Sequence, residues 1–200
     1  MDVAQGETTV GEVRPTPTPL RLYGQSSGLD PLPWASVDEQ LARAGTYWVV
    51  PRSAGQPHPR PVWGIWWADA LRLSIGSRVL ARALDADPVV TVHLDSGTDV
   101  VVLDGRVTGS DVNTETIAAY DAKYDWSYDV DQLGPLTVVS PSIVLAWRSA
   151  GWAGRESFRC GGRWTFDGDG DGDGDGDGDS DDDRDRDREG GGNGNGYKVS

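Results

Sequence analysis

The stretch PHPRPVWGIWW, Pro57 to Trp67, restricts the fold of this chain more than any other. Three prolines alternate with a histidine and an arginine, and three tryptophans follow within five residues. Proline removes a ladder hydrogen bond, so Pro57, Pro59 and Pro61 belong at an edge, a bulge or a ligand, not in a fully paired central strand. Beyond Pro61 the side chains of a strand alternate. Val62, Gly64 and Trp66 face one way, and Trp63, Ile65 and Trp67 face the other. Bulk on both faces predicts that both are covered. Gly64 has no side chain, so another group can approach its backbone closely. A packed core strand and a ligand-lining strand fit this stretch equally well.

The neighbouring segments say what surrounds it. TYWVV (Thr46–Val50) and LRLSI (Leu71–Ile75) are apolar and β-forming, and with the turns PRSAGQ and ADA they predict an antiparallel meander. VVTVHL (Val89–Leu94) and DVVVLDGRV (Asp99–Val107) predict a hairpin across DSGT. LTVVSPSIVLAW (Leu136–Trp147) and FRCGGRWTF (Phe158–Phe166) complete a sheet. Three helices are expected. SVDEQLARA carries Ser36 and Glu39 in capping-box spacing, GSRVLARALDADP ends at Pro88, and NTETIAAYDAKYD has Asn113 as its cap. The class is mainly β with helical additions, a barrel or sandwich.

Three regions follow. Residues 1–31 are rich in Pro, Thr, Gly and Ser and read as a disordered lead, with TPTP favouring an extended backbone. Residues 32–166 are the folded domain. Residues 167–200 are a low-complexity tail of Asp-Gly, Asp-Arg and Gly-Asn repeats with almost nothing to bury. From Asp167 to Glu189 the tail holds 13 acidic residues against 3 arginines, most of the chain's net charge of -14. The remainder is only mildly acidic, without the basic footprint of nucleic-acid binding. Cys160 is the single cysteine, so no intramolecular disulfide forms. The N-terminal segment has no basic or apolar leader region, and no apolar run approaches the roughly 20 residues of a membrane span. A cytoplasmic protein without a membrane partner is expected.

The segment LSIGSRVLAR suggests chemistry. A strand ends, a Gly-Ser turn follows and a helix begins, where backbone N–H groups and the helix dipole favour an anion. Ser77 offers a hydroxyl, and Arg78 and Arg82 lie four residues apart on one helix face. That set suits a phosphate; a capped helix with two solvated arginines has the same pattern. It lies one hairpin from the tryptophan stretch, so one could hold a flat ring while the other holds its phosphate.

The order TYWVV, turn, G-x-P-H-x-R-P-V-W, LRLSI, a Ser/Arg-rich helix, DPVVTVHL and DVVVLDGRV resembles the pyridoxamine 5'-phosphate oxidase-like family, over roughly Pro33 to Phe166. The resemblance implies a six-stranded antiparallel Greek-key split barrel. It also implies a homodimer with the cofactor, FMN or a 5-deazaflavin coenzyme, at the subunit interface. Carried over by position, Arg60, Pro61, Val62 and Trp63 would line the isoalloxazine ring, Ser74 and Ile75 would continue that wall, and Ser77, Arg78 and Arg82 would hold the phosphate. The family's helix often reads S-R-K; here it reads S-R-V-L-A-R, with Arg82 as the substitute. The choice between FMN and deazaflavin stays open. The substrate-phosphate residues of a true pyridoxamine 5'-phosphate oxidase are missing. The expected function is a flavin- or deazaflavin-dependent oxidoreductase acting on an unidentified small molecule. The alternative is a flavin- or haem-binding carrier or sensor on the same barrel.

Other polar residues carry less. His58 stands beside the expected ring pocket as a substrate or cofactor contact. His93, on a strand, reads as a packed histidine rather than a base. Tyr120, Lys123 and Tyr124 could reach a pocket or form a solvated helix face. Two distant histidines and one cysteine make no metal site. A D-x-D-x-D-G match from Asp171 has Asp182 in place of the bidentate glutamate and no flanking helices, so calcium binding there is at most weak. Hydride transfer needs no protein nucleophile, because the cofactor supplies the reactive atom.

Overall fold

A computed structural model describes residues 15–22, 25–26, 29–52, 57–150 and 158–166. The acidic tail and its calcium-like match lie outside the described residues, as do 1–14. Among the described residues, twelve strands and four helices follow in chain order. They are β1 (Thr16–Thr18), β2 (Arg21–Leu22), β3 (Gln25–Ser26), β4 (Asp30–Pro31), α1 (Trp34–Arg43), β5 (Tyr47–Pro51), β6 (Arg60–Val62), β7 (Gly64–Trp67), β8 (Ala70–Leu73), α2 (Arg78–Ala86), β9 (Val89–His93), β10 (Asp99–Asp111), α3 (Thr114–Tyr124), α4 (Val130–Leu133), β11 (Leu136–Ser149) and β12 (Phe158–Thr165).

The opening stretch closes a barrel. β6 and β7 are one run of chain interrupted at Trp63. β6 pairs with β5, placing Pro61 opposite Trp48. β7 pairs with β8, placing Gly64 opposite Leu73. The chain therefore changes partner at Trp63, and each half keeps one edge free of ladder pairing, which is where Pro61 is tolerated. β8 continues to β11, β11 to β10, β10 to β9 and β9 back to β5. Counting β6 and β7 as one, this is a closed ring of six antiparallel strands. β8 leads through α2 to β9, which lies beside β5 rather than β8, so two meanders join in Greek-key fashion.

β11 is where the barrel splits. Its first part, Thr137–Val139, pairs with β8; its second, from Ile143, pairs with β12. Between them the β10–β11 register shifts at Asp104/Gly105, with Pro141 opposite Gly105. A bulge tolerates proline and bends the strand. The sheet then extends outward through β12 to β1 and β4. Part of the expected lead is thus paired: Thr16–Thr18 lies against Arg163–Thr165, and Asp30 and Pro31 lie beside Cys160 and Gly161. The missed signal was alternation too short to register over three residues.

The main core fills the barrel with alternate residues of its strands, among them Tyr47, Val49, Leu71, Leu73, Val90 and Val92. α1 adds Val37 and Leu41, and α2 adds Leu80 and Leu84. A second cluster, Ile65, Tyr120, Tyr128 and Leu136, lies under α3. The expected two faces of the tryptophan strand are seen: Val62, Gly64 and Trp66 are buried. On the other face only Ile65 is covered, while Trp63 and Trp67 stay 48% and 40% exposed.

α1 corrects the capping-box expectation. It starts at Trp34 with Pro33 at its N-cap and no side-chain cap bond. Ser36 lies inside the helix, and its Oγ accepts a 2.7 Å bond from Arg148 of β11. The helix therefore starts three residues earlier than expected, with the indole of Trp34 packed against Trp164 and Phe166. The other two caps are as expected. Ser77 Oγ accepts from the Leu80 N–H, and Asn113 Oδ1 accepts from the Glu115 N–H.

Candidate functional site

The hairpin β7–β8 brings the two sequence constellations into contact. The Ser74 N–H donates to the Trp63 carbonyl at 2.9 Å. The turn between them is tight: Ala68 and Asp69 both have left-handed backbones, φ 44° and 55°. The segment that follows Ser74 runs directly into α2.

At Trp63 and Gly64 the barrel has a seam. The β5–β6 ladder ends with Tyr47 opposite Val62, so past Val62 the strand has β8 on one side and, among the described residues, no strand on the other. Side chains of α3 fill that gap. The Gly64 N–H donates to Tyr124 Oη at 2.9 Å. The Gly64 carbonyl accepts from Lys123 Nζ at 3.0 Å and lies 2.7 Å from Tyr124 Oη. The same hydroxyl lies 3.1 Å from the Gly45 carbonyl, so its one proton serves two acceptors. Lys123 Nζ also donates to Tyr47 Oη at 3.2 Å, and Tyr47 Oη donates to the Leu41 carbonyl at the end of α1, 2.6 Å away. The seam thus meets the requirement that buried backbone groups be paired. A side chain at Gly64 would crowd β8, because a Cβ there would lie 2.5 Å from the Arg72 carbonyl oxygen.

Burial sets the electrostatics. It pushes the Lys123 ammonium down to about 8, and the charge that remains sits 5.1 Å and 5.5 Å from the ring centres of Tyr47 and Tyr124. Burial pushes the Tyr120 hydroxyl up to about 12 and raises those of Tyr47 and Tyr124 as well. These phenols stay neutral hydrogen-bonding groups. Asp111 faces desolvation, which raises it, but bonds from the Asn113 N–H, Arg72 and Thr116 outweigh that and hold it below the usual carboxylate range. Its ion pair with Arg72, 3.2 Å, ties β8 to the end of β10.

The aromatic surface beside the seam is ordered. The Trp63 indole stacks on Tyr124, 4.9 Å between centres and 4° between planes. Trp126 meets Trp63 edge-on at 6.3 Å and 82°, and is itself 53% exposed. Tyr124 leans in turn on Tyr120, and Tyr120 on Tyr128. Tyr128 Oη reaches Ser74 Oγ at 3.4 Å. One chain of rings therefore runs from exposed Trp63 back to the start of the α2 segment.

The sequence-expected residues fall as follows. Trp63 and Ser74 are brought together. Pro61 is exposed, Arg60 is half-buried with its Nη1 on the Pro59 carbonyl, and His58 is exposed. Val62 points into the main core, so only its backbone can face a ligand. Ile75 is half-buried against the same core. Ser77 caps α2, and Arg78 and Arg82 are exposed one turn apart on it. Gly76 has nothing within 4 Å of where a Cβ would be, which leaves the approach to the helix start open. Tyr120, Lys123 and Tyr124 face the seam, not solvent. Tyr47, Trp126 and Tyr128 were not singled out; the four-residue spacing of Tyr120, Tyr124 and Tyr128 was the available signal. His93 packs on Trp48, 6.2 Å between centres and 4° between planes, with Nδ1 3.0 Å from the Leu94 carbonyl. Among the described residues no helix is long and apolar enough to cross a membrane.

No protein-family model matches this chain, and no curated protein matches it. Solved structures do. An F420 reductase is 19% identical with a TM-score of 0.45, covering 54% of this chain and 94% of its own. An FAD-binding protein from Mesorhizobium loti is 15% identical with a TM-score of 0.48, covering 67% and 96%. A candidate pyridoxamine 5'-phosphate oxidase from Listeria innocua is 13% identical with a TM-score of 0.46, covering 56% and 95%. The closed ring of six antiparallel strands is itself the split-barrel architecture that the sequence led one to expect.

Proposed function

We propose that this chain binds a flavin-type cofactor, FMN or a 5-deazaflavin, and works as an oxidoreductase on a small molecule. The observation that supports this most is the contact between Trp63 and Ser74. It sets the strand that carries the exposed indole beside Ser74, which leads directly into α2, and this supports a ring held at one and a phosphate at the other. Arg60, Pro61, the backbone of Val62, and Trp63 would hold the ring, with Ser74 and Ile75 beside it. Gly76, Ser77, Arg78 and Arg82 would hold the phosphate. Bound there, such a cofactor supplies hydride chemistry; the chain's residues supply position and a field. Ser77 spends its side chain on the helix cap, so the arginines and the first-turn N–H groups carry the charge complementarity.

The test compares FMN with riboflavin, which has the ring without the phosphate. A charge-assisted hydrogen bond contributes about 1.5–3 kcal/mol. Arg78→Ala and Arg82→Ala should each weaken FMN binding by roughly ten- to a hundredfold and leave riboflavin binding unchanged. Equal losses for both ligands would mean that the arginines act through folding. Loss of neither would return them to solvated residues on a capped helix. Reduction of the bound ring followed by turnover separates an enzyme from a carrier or sensor.

We also propose a homodimer. Trp67 and Val79 are exposed at 40% and 56%, and apolar surface of that kind is commonly covered by a partner.

A further inference from the structure

We infer that Tyr124 is a positioning residue for the ring half of the proposed site: its hydroxyl holds the barrel seam, and its ring fixes the plane of Trp63 as a stacking platform. This rests on the flavin reading of Trp63 and deepens it. Three observations carry it. First, Trp63 stands at the residue where the strand changes partner, so its backbone has a ladder neighbour on one side only, the Ser74 N–H. A side chain there would otherwise be free to reorient. Second, that indole is 48% exposed yet lies within 4° of the Tyr124 plane, with Trp126 set across it at 82°. Third, Tyr124 is anchored at its far end by Gly45 and Gly64 and along its ring by Tyr120. The packed ring of Tyr124 therefore sets the platform's plane, while its hydroxyl bonds hold the seam.

A half-exposed indole of fixed orientation is suited to a planar fused ring, because stacking energy depends on offset and tilt. Preorganisation matters here as much as contact area, since an indole already in place loses no rotamer freedom when a ligand arrives. The phosphate half of the site has no part in this device.

Two substitutions separate the two jobs of the side chain. Tyr124→Phe keeps the ring and removes the hydroxyl. Tyr124→Leu removes both. Each leaves the Gly64 N–H without its partner, so both should unfold at lower urea concentration than wild type. Only Tyr124→Leu should weaken binding of FMN and riboflavin, by roughly two- to tenfold and equally for both. The Phe variant should bind as wild type does. A purely structural role predicts instead that binding follows stability in both variants, and that result would overturn the proposal.

A second measurement needs no ligand. Near-ultraviolet circular dichroism of the free protein should show a tryptophan band that Trp63→Phe removes, Tyr124→Phe preserves and Tyr124→Leu loses. If wild type binds neither flavin, the flavin reading fails while the dichroism still decides whether Tyr124 orders Trp63. A band preserved in Tyr124→Leu would overturn the proposal whether or not flavin binds.

Discussion

Gly64→Ala tests the closure of the barrel where β7 runs against β8. An added Cβ would lie 2.5 Å from the Arg72 carbonyl oxygen and 2.7 Å from Leu73 Cδ2. The leucine side chain can rotate, but the carbonyl belongs to β8, which is held by β7 on one side and β11 on the other. An ordinary C···O contact begins near about 3.3 Å, so the strands must separate by on the order of 0.8 Å. Forcing a methyl group into a filled site costs about 1–3 kcal/mol. Alanine also restricts the unfolded chain, which offsets about 0.4–1 kcal/mol. The net expected loss is about 1–2 kcal/mol. With a urea m-value of about 2 kcal/mol/M, the unfolding midpoint should fall by roughly 0.5–1 M with m unchanged. Gly45→Ala is the control. Nothing lies within 4 Å of its added methyl group and its backbone is not left-handed, so its midpoint should stay put or rise. If Gly64→Ala unfolds with the wild-type midpoint, β7 does not run this close to β8 and the partner change at Trp63 is misplaced.

Lys123→Met should change the alkaline stability profile. Burial holds the lysine at about 8 in the fold against an ordinary 10.5. Between those values the unfolded chain binds more protons, so stability from this group rises with pH across that window. Tyr47, Tyr120 and Tyr124 are raised, so their contribution is present below pH 10 and is lost above it. Wild type should gain stability from pH 8 to 10 and then lose it; the variant should show only the fall, measured by urea unfolding at each pH. The dimer proposal is checked by light scattering at micromolar concentration, which should return twice the 21.5 kDa chain mass; a monomer at all concentrations would refute it.

Much of the fold was legible because it is written in local patterns. Strands such as TYWVV and VVTVHL are rich in β-branched and aromatic residues, and Ser77 and Asn113 mark helix starts by a hydroxyl or amide two to three residues from the N–H each one binds. The prolines before Trp63 announced that the strand could not be paired on both sides, and that is a property of the proline ring alone.

What the sequence by itself determined, then, is the class of each segment and the edge character of Pro57–Pro61. Which partner each edge takes was decided only by the closed structure. Barrel closure depends on strands distant in sequence, such as Leu71–Leu73 against Thr137–Val139, and no local pattern encodes that register. The same holds for the seam. Lys123 and Tyr124 look like members of a polar helix face until the fold brings the unpaired backbone of Gly64 to them, 60 residues away for the tyrosine. Their direction is then set by hydrogen bonding: a backbone donor and acceptor removed from water must find partners, and at the break between β6 and β7 the strands supply none.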